Sequence, residues 1–206
     1  MKTPKGYLVA IEGVDAVGKN TQTLLLFEWL TKKKVRTIRM AFPDYSTPTG
    51  KEITSFLSHG KRYPIELQHI LFAANRWEKR DEIKARLDAG FVVVVDRYTE
   101  SNLAYGTANG LDVDWLSNLE TGLPRADLVL VLDAPIRTVH SRRPASRKDT
   151  YERRLILQAK TKRAYKALAQ ERGWTIIDAS MPRPDVQKEV LKAFREALLR
   201  DRGVTI

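Results

Sequence analysis

Cysteine is absent from this chain of 206 residues. That excludes a disulfide scaffold and any thiolate metal site. Long apolar runs are also missing. LVAI before Glu12 and FVVVV before Asp96 are strand-sized, far below the ~20 residues that a membrane-spanning helix needs. The opening MKTPKGYLVAIEG has only a few apolar residues before a glycine loop, so no secretory leader is read there. Internal repeats and low-complexity linkers are lacking, which predicts a single domain over residues 1–206. Acidic residues are the minority, 25 against 36 lysines and arginines, for a net charge of +11. Such a surplus points to anionic partners, either nucleic acid or a polyphosphate ligand. RNP motifs, Cys/His fingers and basic tails are all missing, which turns the reading toward small-molecule phosphate and away from nucleic acid. These features together predict a cytoplasmic chain with no membrane attachment.

What is present reads as a folded α/β protein. Hydrophobic residues make up 43% and charged residues 30%, a balance that buries a core. Strand-like segments are predicted at Tyr7 to Glu12, Thr37 to Phe42, Phe91 to Val95, Asp127 to Asp133 and Trp174 to Asp178. Between them lie helical patterns at Thr21 to Lys32, Pro48 to Ser58, Pro64 to Asp88, Thr150 to Arg172 and Pro184 to Arg200. The continuous β-branched run Phe91 to Val95 suits a strand covered on both faces. Alternation of this kind predicts three layers, with a mostly parallel five-stranded sheet flanked by helices. Ligands of such sheets bind at the carboxyl ends of the strands. Glu12-Gly13, Asp96-Arg97 and Asp133 stand at three of those ends.

The segment Gly13, Val14, Asp15, Ala16, Val17, Gly18, Lys19, Asn20, Thr21 follows a strand and opens a helix. It fits G-x-x-x-x-G-K, the phosphate loop of the P-loop NTPase fold. Backbone N–H groups of such a loop, with the helix N-terminus behind them, hold phosphate oxygens. Lys19 is the residue to reach the β- and γ-phosphates. Asn20 stands where a metal-binding Ser or Thr is usual; its amide oxygen can bind Mg²⁺ directly or through water, and Thr21 supplies a hydroxyl one position later. Asp96 is a candidate to hold Mg²⁺ through water, and Arg97 to grip a second phosphate. A local ion pair closing the strand fits those two residues equally well. Arg142, Arg143, Arg147 and Lys148 surround Pro144, Ala145 and Ser146. This stretch, about 142–150, reads as a basic lid over transferring phosphates or as a solvated charge run.

These residues resemble the thymidylate kinase family. EGVDAVGKNTQ is similar to that family's phosphate loop, and FPDYSTPTGK to its FP segment. LFAANRWE, DRY with Ser101 and Tyr105, the DLVLVLD strand, Tyr151-Glu152 and Asp178-Ala179-Ser180 follow in order. The resemblance implies transfer of phosphate from ATP to dTMP with Mg²⁺, in a homodimer. It implies Phe72 stacking on thymine, Arg76 bonding its carbonyl edge, and Asp15 holding the sugar 3′-hydroxyl. It further implies Arg97 on the acceptor phosphate, Tyr105 against the 2′ position and Arg143 on the adenine face. Phe42, Ser101 and Tyr151 complete the expected substrate site, while Lys19, Asp15, Arg97, Arg142 and Arg147 form the expected catalytic set. Core packing remains open for Phe72 and Tyr105. Tyr45 departs from the family's FP-x-R pattern, with Lys51 a possible substitute, and Ala16 replaces a basic loop residue of some members. Other readings left open are a kinase of another deoxynucleotide or deoxynucleoside and a non-catalytic nucleotide-dependent regulator.

Overall fold

Five strands, β1 (Tyr7–Glu12), β2 (Thr37–Ala41), β3 (Val92–Asp96), β4 (Leu128–Asp133) and β5 (Thr175–Asp178), form one sheet in the order β2-β3-β1-β4-β5. Every pairing is parallel, so the sheet is wholly rather than mostly parallel. The computed structural model describes residues 5–141 and 148–204, without the side chains of residues 140–141 and 148–154.

Nine helices surround the sheet among the described residues: α1 (Lys19–Lys32), α2 (Pro48–Ser58), α3 (Ile65–Trp77), α4 (Arg80–Asp88), α5 (Thr99–Ala108), α6 (Val113–Leu119), α7 (Ile136–Ser141), α8 (Lys148–Arg172) and α9 (Arg183–Arg202). The period of two along β1 sorts its side chains between two cores. Tyr7, Val9 and Ile11 pack with Leu26 and Leu30 of α1, Val139 of α7 and Val190 and Phe194 of α9. Leu8 and Ala10 pack on the other face with Ile83 of α4, Leu103 of α5, Leu116 of α6 and Tyr165 of α8. All six residues of β1 are buried, as a central parallel strand requires.

Several predicted boundaries change. The helix expected over Pro64 to Asp88 is two helices, α3 and α4. Glu78, at the break, turns its carboxylate to α2 and accepts the Thr49 hydroxyl at 2.6 Å and its N–H at 3.2 Å. The sequence pattern gave no sign of α5, α6 and α7. In α5 seven of ten residues are buried, including Glu100, Ser101 and Asn102. Polar residues on the inward face erase the apolar stripe that marks a helix. Helix α8 begins at Lys148, so helical backbone takes the end of the segment read as a loop to about residue 150.

Candidate active site at the carboxyl edge of the sheet

Strand β1 delivers the glycine loop to the middle of the sheet. Gly13 turns there at φ 134°, and a Cβ at this position would lie 2.5 Å from the Leu132 carbonyl oxygen of β4. Only glycine fits both constraints. Ala16 and Gly18 also take positive φ, at 61° and 114°, curling the backbone before α1 starts at Lys19. The Lys19 ammonium folds onto the Val14 carbonyl at 2.9 Å and is buried. Burial pulls its pKa down to about 7; Arg97 adds to this, while Asp96, Asp15 and Glu12 oppose it. A phosphate here would supply the counter-charge that the buried ammonium is short of.

Beside the loop, β3 ends on Asp96. The next residue, Arg97, holds φ 64°, unusual for a residue with a side chain. This turn aims its guanidinium back over the loop. Nη1 donates to the Gly13 carbonyl at 3.3 Å and the Ser101 hydroxyl at 3.3 Å; Nη2 donates to the Asp15 carboxylate and to the Tyr105 hydroxyl at 3.2 Å. The Tyr105 hydroxyl in turn donates to Asp15 Oδ1 at 3.0 Å. Arg97, Asp15 and Tyr105, expected to share one substrate, therefore share one cluster.

Asp96 Oδ1 is buried with no hydrogen-bond partner among the described residues. Burial raises its pKa, against the pull of Lys19, Arg97 and Arg39. An orphaned carboxylate oxygen among phosphate-loop residues fits a hydrated divalent cation. Asn20 is placed differently. Its side chain is exposed and its Oδ1 accepts from Arg39 Nη1 at 3.0 Å, so the amide oxygen read as a metal ligand already has a cationic partner. Thr21 is half-buried in the first turn of α1.

A second group of residues lines the approach from α3. Phe72 is half-buried and meets Phe56 and His69 edge-on, at centroid distances of 5.6 and 5.9 Å. Arg76, one turn later, is only 3% exposed. Its Nε donates to Glu120 Oε2 at 2.9 Å and its Nη2 to Glu120 Oε1. The FP segment is pinned beside them. Asn75 accepts the Asp44 N–H at 2.7 Å and donates to the Thr47 hydroxyl at 2.8 Å, while Lys79 pairs with Asp44 at 3.2 Å. Phe42 is buried against Tyr98, 5% exposed, which makes it a wall rather than an open contact. Tyr45 and Lys51 are exposed. Arg142, Arg143 and Arg147 lie outside the described residues, as does the side chain of Tyr151.

The thymidylate kinase family model matches residues 11–190. The chain belongs to the thymidylate kinase family. It is 35% identical over 191 residues to the thymidylate kinase of Dictyostelium discoideum, covering 92% of this chain and 85% of that one. It is 37% identical over 197 residues to the thymidylate kinase of Arabidopsis thaliana, covering 95% and 72%. A solved thymidylate kinase structure from Candida albicans matches with TM-score 0.79 at 30% identity, over 91% of this chain and 90% of that one. The P-loop NTPase fold expected from the glycine motif is thus the fold observed.

Two residues central to the site have no role assigned from the sequence, although Glu12 stands in the strand-end and phosphate-loop segments. Glu12 is wholly buried beneath the loop; it accepts the Tyr98 N–H at 2.6 Å, the Ser101 hydroxyl at 2.6 Å and the Tyr165 hydroxyl at 2.7 Å. Ser101 therefore faces Glu12 and Arg97 with the hydroxyl expected to meet substrate. Glu120, the partner of Arg76, stands alone in the sequence, 44 residues away. Its one local signal is its place just before the Gly122-Leu123-Pro124 turn.

Proposed function

We infer that this chain transfers the γ-phosphate of ATP to dTMP, giving ADP and dTDP. Membership of the thymidylate kinase family supports the donor and the acceptor. The observation that carries the mechanism is the joining of Lys19 and Arg97 at one sheet edge, both touching the loop of Gly13 and Val14.

Phosphoryl transfer demands alignment and charge neutralisation, with no covalent intermediate on the protein. In this reading the loop amides and Lys19 hold the ATP phosphates. Arg97 holds the dTMP phosphate, and its fork suits two phosphate oxygens at once. The guanidinium exchanges part of its contact with Asp15 for the phosphate, leaving Asp15 and Tyr105 to face the sugar. Tyr105 then occupies the space that a 2′-hydroxyl would need. Phe72 stacks on the base and Arg76 donates to its carbonyl edge. Arg142, Arg143 and Arg147 belong to the proposal as lid residues, and Tyr151 as a substrate contact.

Asp96 is the residue here to hold Mg²⁺ through water, because its buried Oδ1 has no partner among the described residues. When bound, the ion would offset charge on the triphosphate. Asn20, engaged by Arg39, would at most contact the hydration shell.

A homodimer is part of the same proposal. Leu67, Ile70 and Trp77 of α3 are 37%, 41% and 38% exposed, an apolar face that a second copy would cover.

Initial rates of ADP release with dTMP, dUMP, dCMP and AMP test the central reading. We expect dTMP to give the highest kcat/KM. A higher value for another acceptor, or ATP binding without dTDP formation, would overturn it.

A further inference from the structure

Arg76 is held by a relay of hydrogen bonds whose polarity can be read from one end. Glu120 Oε2 accepts from Arg76 Nε at 2.9 Å, and Glu120 Oε1 accepts from Arg76 Nη2 and from Asn102 Nδ2 at 2.7 Å. A carboxylate only accepts, so the Asn102 amine must face it. The amide oxygen of Asn102 therefore faces His69 Nδ1, at 2.7 Å, and must accept its proton. That leaves His69 Nε2 as an acceptor, 3.2 Å from Asn109 Nδ2. Burial keeps the His69 pKa below its ordinary value, as the neutral ring of this arrangement requires. Glu120, Asn102 and His69 are 8%, 2% and 1% exposed, so water does not compete for these bonds.

Glu120 follows the last turn of α6 and also borders a cavity of about 500 Å³. Three hydrogen bonds, two from Arg76 and one from Asn102, hold its carboxylate. The bidentate pair spends Nε and Nη2 of Arg76 on Glu120. Nη1 makes no hydrogen bond within the described residues.

We propose that Glu120 is a positioning residue that fixes base choice through Arg76, with Asn102 and His69 holding Glu120 in turn. This rests on the reading of Arg76 as the residue that meets the base edge. A guanidinium locked in one rotamer presents a donor at one point in space. Thymine offers its O4 acceptor, whereas cytosine offers an amino donor in the equivalent place. A fixed donor opposite a donor is rejected, but a mobile one can swing aside. The anchoring carboxylate thus turns a contact into a selection.

The test is steady-state kinetics of Glu120→Gln, which keeps side-chain size and removes the charge. One charge-assisted pair is weakened, so KM for dTMP should rise about 10-fold. The dTMP-over-dCMP ratio of kcat/KM should fall by at least a comparable factor, while kcat at saturating dTMP and KM for ATP stay within about two-fold. An unchanged KM for dTMP with an unchanged base ratio would overturn the proposal. An equal rise in both KM values would also overturn it, because that marks general loosening. Should Glu120→Gln melt early, Glu120→Asp keeps the buried charge and moves it back by one methylene. It should give an intermediate rise in KM for dTMP, and no rise would count against the role. Arg76→Lys separates the two layers. If it leaves KM for dTMP and the base ratio intact, Arg76 does not read the base. If it alters both while Glu120→Gln and Glu120→Asp alter neither, only the positioning role of Glu120 fails.

Discussion

Glu12 Oε1 accepts the backbone N–H of Tyr98 at 2.6 Å, directly after the residue whose backbone turns to φ 64°. The carboxylate at the end of β1 thereby clamps the loop that aims Arg97. Left-handed backbone at a residue with a side chain costs of order 1 kcal/mol and persists where surroundings enforce it. The Glu12→Gln variant replaces one accepting oxygen by a donor, which then faces either the Tyr98 N–H or the Ser101 and Tyr165 hydroxyls. We expect kcat to fall about 10-fold or more with ATP affinity retained, and stability to drop by ~1–3 kcal/mol. Nucleotide titration beside thermal melting and turnover checks this; full turnover in the variant would rule the clamp out.

In the proposed transfer Lys19 holds the β- and γ-phosphates of ATP. Lys19→Ala should lower turnover ~10²-fold or more, since one preorganised charge contact to the transition state is lost. The variant should melt no earlier than the parent, because the deleted ammonium is desolvated in the free protein. A folded Lys19→Ala enzyme with near-normal turnover would remove this residue from the mechanism.

The same ammonium should make ATP binding proton-linked. Its pKa in the free protein is about 7, down from 10.5, so at pH 8 most molecules carry it neutral. A triphosphate favours the charged form, and binding at pH 8 should take up a proton. At pH 6 the lysine is already charged and uptake through it should be small. Calorimetry in buffers of different ionisation enthalpy measures the difference, and Lys19→Met should abolish it. For stability the sign is also set: between pH 7 and 10.5 the unfolded chain binds more protons at this group, so its contribution makes stability rise with pH there.

Glu100 works in the opposite direction. Burial, then the nearby Glu12 charge, pushes its pKa up to about 7 from 4.5, and its Oε2 has no hydrogen-bond partner among the described residues. The folded protein holds this proton more tightly than the unfolded chain does. The stability it contributes is full below pH 4.5 and lost as pH rises through 7. Glu100→Gln should therefore melt higher than the parent at pH 8 and near it at pH 4.5. The gain at pH 8 should be about 1–3 kcal/mol, each kcal/mol being ~2–4 °C of Tm in a chain of this size. Parallel melting curves at both pH values would contradict this.

Tyr105 offers a test of sugar selection. Its hydroxyl is committed to Asp15 and Arg97 while its ring meets Tyr165 edge-on at 6.3 Å. Tyr105→Ala should narrow the preference for dUMP over UMP, whereas Tyr105→Phe should keep most of it, since bulk rather than the hydroxyl excludes the 2′ group. Competition assays with the two nucleotides decide the matter; unchanged selectivity in Tyr105→Ala defeats the steric role.

The parts legible in the sequence were those built from contiguous residues. Buried strands appear as unbroken β-branched runs, and the glycine spacing of the phosphate loop sits on the strand-to-helix turn that requires it. Helix α5 was not legible, because Glu100, Ser101 and Asn102 face inward and interrupt the apolar stripe. The split at Glu78 was hidden as well, since its cause is a contact to Thr49 on another helix.

By itself, the chain's order of residues determined a phosphate-binding α/β sheet with acidic and basic side chains at its strand ends. Local backbone preference and burial period act over a few residues, and so survive in one dimension. Tertiary structure alone decided that Arg97 meets Asp15, 82 positions away, that Asn20 is taken by Arg39, and that Glu120 holds Arg76. Those pairings depend on which strand ends become neighbours in the sheet. That order follows from the free energy of burying two helical layers at once, and no short stretch of sequence contains it.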